Sequence, residues 1–499
     1  MVWNDRHPVQ PDASFDGGAL DCGNGLLLLI RRHMDPLNSG QLLEIRSTEP
    51  SVDEELPAWC RMTGNALLSR VRLGTGRSYL VQKGGIPRPS VAGPSPTARS
   101  APAATSIPVY KPLPPFAVMG IGSWPRPGWL LNALHEKLCS RLPENVFQQY
   151  ADDAVRLAIS AQERAGVDVV TDGEQRRDNY ASFVASRLDN CQLIPITDLL
   201  PYVDDPDKFA DELKALDVPA EQVRHPAVFG KLSRSKSITA PELERARSLT
   251  PKPVKIALPG PYLLTRTMWL DCISDKAYSQ REELAKDIIA ALRQEIGELL
   301  EGGAAIVQLD EPVLTEVVFG RKNAGRSFMC GALGEKGDPD SELNFAGNLI
   351  REVLAGWPRD QMAIHVCRGN WSRDESVALS GPYTPLVPLL KTLPVGIYFL
   401  EMATPRAGEL KPLRELPQES RIGIGVVNQK LDSVESPEQI IAKAKGAIRE
   451  FGADRVLLNP DCGFATFADN PLASAETAEA KLASIAKAAR TLRANYFGG

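Results

Sequence analysis

Short apolar runs that end in polar or glycine residues recur along most of the chain, and a stretch with apolar residues at helical spacing follows most of them. The runs are FAVMGIGSWPRP (116–127), VDVVTDGEQRR (167–177), VKIALPGPY (254–262), AAIVQLDEP (304–312), MAIHVCRGN (362–370), VGIYFLEMATPR (395–406), RIGIGVVNQK (421–430) and DRVLLNPDCG (454–463). Each predicts a buried strand. Segments 145–166, 281–303 and 436–452 predict amphipathic helices, most of them closing on glycine. Strands alternating with helices imply parallel pairing, and eight such units imply an α/β fold closed as a (β/α)8 TIM barrel. A doubly wound open sheet is the competing architecture. In every run the chemically capable residues follow the apolar segment, which puts them at strand C-terminal ends, where barrel enzymes place their sites. The long gap at 184–250 predicts an excursion, a small subdomain beside the barrel.

The pattern changes at 84–113, GGIPRPSVAGPSPTARSAPAATSIPVYKPL, which is rich in Pro, Ala and Ser and has no hydrophobic period. It predicts a linker between a head, 1–83, and a body, 114–499. The head contains GLLLLIRRHM, QLLEIRSTE, DEELPAWCRMTGNALL and RSYLVQKG. This order predicts a strand, helix, strand, helix, strand layout of ferredoxin-like type, with GNALL continuing the second helix.

A chain of 499 residues with 43% apolar and 24% charged residues has the balance of a soluble protein of more than one domain. Its net charge of −5 gives no reason to expect nucleic acid or a membrane as partner. The polar N-terminus and the lack of any long apolar run lead to the expectation of a cytoplasmic protein. The eight cysteines are too scattered for a disulfide framework, so thiols are expected free to bind metal or react.

His365 and Cys367 are two apart on a predicted strand, so both side chains point the same way. Glu401 ends the next strand and Cys462 the eighth. One imidazole, two thiolates and one carboxylate at a barrel mouth suit tetrahedral Zn2+. The competing reading makes each cysteine a small core residue, as we expect of Cys60 beside Trp59.

Taken in order, IGSWPRP, DGEQRR, LPGPY, QLDEP, HVCRGN, FLEMATPR and NPDCG resemble the catalytic domain of cobalamin-independent methionine synthase, closest to its short archaeal-type form. The resemblance covers roughly residues 115–495. It implies a zinc-dependent methyltransferase in which His365, Cys367, Glu401 and Cys462 bind Zn2+. It also implies that an amino-acid thiol, homocysteine by default, is held by Glu174, Asp310 and the Ile121-Gly122-Ser123 turn. The carboxylates would pair with the substrate ammonium, and the turn would offer N–H donors to its carboxylate. Where full-length synthases carry a histidine after the seventh strand, this chain has GVVNQKLDSVES, which makes Lys430 a candidate acid. The methyl donor is expected to be a methyltetrahydrofolate or a methyl-corrinoid protein.

LDCGNGLLLLIRR and LPAWCRMTGNALL resemble a TusA-like sulfur-carrier domain, in which Cys22 takes the place of the persulfide-carrying cysteine. A helix N-terminus there would lower the thiol pKa. The resemblance implies a sulfurtransferase as partner for the head. Two other functions compete with methyl transfer. In one, a Cys22 persulfide feeds the barrel zinc. In the other, a zinc-bound thiol opens an epoxide or attacks another alkyl electrophile.

Overall fold

In the computed structural model the described residues are all but 1–2, 5, 21–25, 35, 64, 75, 85–111, 139–140, 196–223, 270–276, 321–337, 376–377 and 499. They fall into two compact units, one within residues 1–104 and one within 105–499.

The first unit runs β1 (Ala13–Asp16), a helix Leu27–Met34, β2 (Leu42–Ser47), a helix Val52–Thr63, β3 (Ala66–Leu73) and β4 (Gly76–Gln82). The sheet order is β1-β2-β4-β3, with β1 parallel to β2 and the other pairs antiparallel. Leu43 faces Val81 and Ile45 faces Tyr79 across β2 and β4, and all four are buried with Leu26, Ile30, Leu56 and Cys60. The sequence expectation needs a correction here. The second helix stops at Thr63, and ALL belongs to an additional strand, β3, whose Ser69 and Val71 turn inward two residues apart. Asn65, just before β3, is a breaker that the apolar run concealed.

The second unit holds a six-stranded parallel sheet: β7 (Lys255–Pro259), β8 (Ile306–Asp310), β9 (Met362–Val366), β10 (Ile397–Leu400), β11 (Arg421–Val427) and β12 (Val456–Pro460), paired in chain order. Nearly every residue of these strands is buried, as expected of parallel strands covered on both faces. The two outer strands are joined through the first two sequence runs. Val118 bridges Leu458 of β12, Met119 bridges Val169, and Val170 bridges Val254 next to β7, all in parallel sense. The circuit of parallel pairing thus returns to its start. These two runs make bridges rather than the full strands expected. Pro114 and Pro115 before the first run, and Pro125 and Pro127 after it, lack the N–H a ladder requires. The second run is turned aside by Gly173 and Glu174, at φ +72° and +54°.

Helices Glu144–Ala165, Arg281–Glu301 and Pro437–Phe451 lie close to their predicted spans. The first buries Phe147, Ala151, Ala154, Val155, Ala158 and Ile159, a stripe at helical spacing, and stops at Gly166 in the left-handed region. The last starts on a capping box of Ser436 and Gln439. Within the 184–250 excursion, the described part is an antiparallel pair, β5 (Asp189–Pro195) with β6 (Arg224–Ser233), and a helix Ala240–Leu249. Among the described residues no helix is long and apolar enough to cross a membrane.

Candidate metal centre and thiol site

His365 is the fourth residue of β9, and Cys367 follows the strand's last residue, Val366. Cys462 lies two residues past β12. The parallel register therefore delivers all three to the same end of the sheet. One ligand atom from each, an imidazole nitrogen and two sulfurs, lies within 4.8 Å of the others, and all three side chains are buried. His365 Nε2 is buried and has no hydrogen-bond partner, whereas Nδ1 lies 2.9 Å from Asp310 Oδ1. Asp310 sits directly beside His365 in the β8–β9 register. A ring that donates through Nδ1 keeps its Nε2 lone pair for a metal, and a carboxylate behind it makes the ligand more basic. Burial opposes a charged imidazole here, but the Asp310 hydrogen bond and the field of Cys367 outweigh it and raise the His365 pKa.

The sulfurs are electrostatically distinct. A hydrogen bond from Cys462 pulls the Cys367 thiol down to about 7 against the opposing effect of burial. Its partner Cys462 is raised by the same bond and by burial. Cys367 is thus the sulfur that ionises first. A buried set of two sulfurs and one unpartnered nitrogen fits Zn2+.

The cluster lines a cavity that Ile121, Gly122, Ser123, Glu174 and Asp310 also line. Glu174 stands in the left-handed region, uncommon for a residue with a side chain, and its amide donates to Asp172 Oδ1 at 3.0 Å. Burial pushes its carboxyl up to about 7, although Arg177, 3.7 Å away, pulls it down. Glu174 Oε2 is buried without a hydrogen-bond partner. Gly122 admits this carboxylate, because a Cβ there would meet Glu174 Oε1 at 2.1 Å.

The sequence profile of the family described as "Cobalamin-independent synthase, Catalytic domain" matches residues 209–490, more than half of the chain. The chain belongs to this family. Among curated relatives, a methionine synthase of Sulfurisphaera tokodaii is 27% identical over 352 residues, 70% of this chain and 86% of that protein. One from Saccharolobus solfataricus is 25% identical over 383 residues, 77% of this chain and 96% of that protein. Among solved structures, a B12-independent methionine synthase from Shewanella sp. W3-18-1, in complex with selenomethionine, superposes with a TM-score of 0.58 at 21% identity. It covers 77% of this chain and all of the other. The second unit therefore has the α/β fold of the cobalamin-independent synthase catalytic domain.

Of the residues expected to serve this synthase site, two are not gathered around the cavity. Glu401 is fully buried at the end of β10, but it lies outside the His/Cys/Cys cluster. Its Oε2 accepts from the Arg368 amide at 2.8 Å and from Asn370 Nδ2, and its Oε1 lies 2.5 Å from the Arg406 guanidinium. Lys430 has a wholly buried side chain 3.7 Å from Glu375 and does not line the cavity. Cys22 lies outside the described residues. Conversely, Tyr180, Trp371 and Thr466 line the cavity and were not singled out from sequence. Tyr180 and Trp371 come within a few residues of DGEQRR and HVCRGN, so their nearness to a strand-end motif was the available signal.

Proposed function

We propose that this chain is a zinc-dependent thiol S-methyltransferase that, like methionine synthase, transfers a methyl group to homocysteine. The observation that carries this reading is the joining, on one cavity, of a buried His/Cys/Cys cluster with Glu174, Asp310 and the Ile121–Ser123 turn. His365, Cys367 and Cys462 would hold Zn2+, a Lewis acid able to lower a thiol's pKa. Glu401 is the proposed fourth and displaceable ligand, and joining the metal means giving up its pair with Arg406.

The chain's own groups do the rest. Asp310 accepts from Gln308 and His365 through Oδ1, which leaves Oδ2 for a substrate ammonium. Glu174 carries a proton more readily than an ordinary carboxyl, and an ammonium beside it restores the charged form. The Gly122-Ser123 turn faces the substrate carboxylate. Transfer forms the S–CH3 bond as the donor–CH3 bond breaks, and the donor keeps the electron pair. The donor is a methyltetrahydrofolate or a methyl-corrinoid protein.

The closed circuit of parallel pairings supports reading residues 114–499 as a (β/α)8 barrel. The strand and helix order of the first unit supports a TusA-like carrier at 1–83, tethered by 84–113, with Cys22 as its persulfide site and a sulfurtransferase as its source. Free buried cysteines and the lack of a long apolar helix among the described residues support a cytoplasmic location.

Zinc K-edge absorption on purified protein, with and without homocysteine, tests the central claim. A shell of two sulfurs with nitrogen and oxygen that gains a third sulfur on addition supports it. A shell that ignores homocysteine rejects that acceptor, and a protein without zinc in such a shell rejects the reading.

A further inference from the structure

Arg177 stands beside Glu174 but does not line the cavity. Its side chain is buried, and the guanidinium lies against Phe183, 4.3 Å from the ring centre. Nε and Nη2 both donate to Glu242 Oε2, at 3.2 and 2.7 Å. The stacking fixes the plane of the guanidinium, and the two bonds fix its rotation within that plane. Nη1 is left 3.7 Å from Glu174 Oε1, beyond hydrogen-bond range, and is buried with no hydrogen-bond partner.

Glu242 is itself held. It is buried in the first turn of the helix Ala240–Leu249. The amides of Ile238, Thr239 and Ala240, where that helix begins, all donate to Glu295, which also pairs with Arg234 at 2.6 Å. An anchored helix start keeps Glu242 in place, and Arg177 with it.

Without Glu242 the guanidinium would need another carboxylate, because an unpaired buried charge is costly. Two others act on Arg177: Glu174, at 3.7 Å, and Asp172. Asp172 spends one oxygen on the Glu174 amide. Glu174 already has an oxygen turned toward Nη1, so a small rotation would close a direct ion pair. A substrate ammonium would then have to break that pair before it could bind. We propose that Glu242 is a positioning residue for acceptor binding, holding Arg177 off Glu174 and so keeping that carboxylate free for the substrate ammonium. The ligand in this inference rests on the proposed function, whereas the geometry does not.

Binding of homocysteine to the full-length protein with zinc added, measured by calorimetry, tests this. Glu242→Met should weaken it roughly 10- to 100-fold, the scale of a lost charge-assisted bond. γ-Mercaptobutyrate, the same thiol acid without the ammonium, should bind variant and parent alike. Adding Arg177→Met removes the competing cation, and the double variant should return to within about fivefold of the parent. Glu242→Gln, which keeps an acceptor but no charge, should show the single-variant effect more weakly and serves if the methionine variant does not fold. Equal losses for both thiols, normal homocysteine binding by the single variants, or a double variant no better than the single would each overturn the proposal. A crystal structure of Glu242→Met, or of Glu242→Gln in its place, judges the geometry by itself. Arg177 Nη1 should close from 3.7 Å to a direct hydrogen bond with Glu174, and a guanidinium that stays in place or turns to Asp172 refutes the tether. A parent that binds no homocysteine defeats the proposed function, while the structural result still decides what Glu242 holds.

Discussion

Replacing Glu174 with Gln should stabilise the second unit while damaging its function, and the balance should depend on pH in a definite way. The Glu174 carboxyl has an ordinary value of 4.5 and is pushed up to about 7, with burial as the largest cause. Between these values the folded protein binds more protons at this site than the unfolded chain. Folding stability therefore falls as pH rises through the window, and the charged form carries its full penalty above about pH 7. A displacement of that size corresponds to about 3 kcal/mol. Glutamine keeps the shape and hydrogen-bonding capacity but never ionises. Arg177 would lose its neighbour at 3.7 Å but retain Glu242 at 2.7 Å, so the substitution strands no cation.

Thermal unfolding of Glu174→Gln and the parent at pH 4.5, 6 and 8 reads this directly. The variant should match the parent at the lowest pH and exceed it at pH 8 by roughly 5 °C, taking about 2 °C per kcal/mol at this size. Saturating homocysteine should reverse the order, because its ammonium offsets the penalty only in the parent. Comparing the two proteins cancels every other titrating group. A variant less stable at pH 8, or one whose advantage is the same at all three pH values, would refute the argument that burial of this charge dominates.

Other substitutions probe the remaining parts of the site. Cys367→Ser or Cys462→Ser should abolish stoichiometric zinc, read by metal analysis after dialysis, while leaving the far-UV circular dichroism unchanged. Gly122→Ala places a methyl 2.1 Å from Glu174 Oε1, so KM for the acceptor thiol should rise at least tenfold, with zinc content unaltered. Arg406→Met leaves the fully buried Glu401 without its nearest cation, and the cost should be about 3–5 kcal/mol in denaturant unfolding. Lys430→Met should lower kcat by less than tenfold, because the side chain pairs with Glu375 and does not line the cavity. A loss of 100-fold or more, the usual scale for a removed general acid, would restore the catalytic role.

What the sequence revealed, and what it hid, follows from the range of the interactions involved. His365 and Cys367 were legible because their relation is local: residues two apart on a strand share a face whatever surrounds them. Cys462 was legible because it closes an apolar run in the same way as the others. The pairing of Asp310 with His365 needed the β8–β9 register, which no local pattern encodes. That register turns a residue expected to hold substrate into one that also orients a metal ligand. Glu401 ends its strand as expected, yet its orientation is set by Arg406 five residues on and by Asn370 on another strand end, so spacing alone could not place it. Lys255 was the hardest to see. In VKIAL a lysine within an apolar run reads as a residue whose stem packs and whose tip reaches water, the common fate of that side chain. Only the closed circuit of strands denies it water. A charge trapped in this way has to be matched by a neighbour, and here that neighbour is Gln308, whose Oε1 accepts from it.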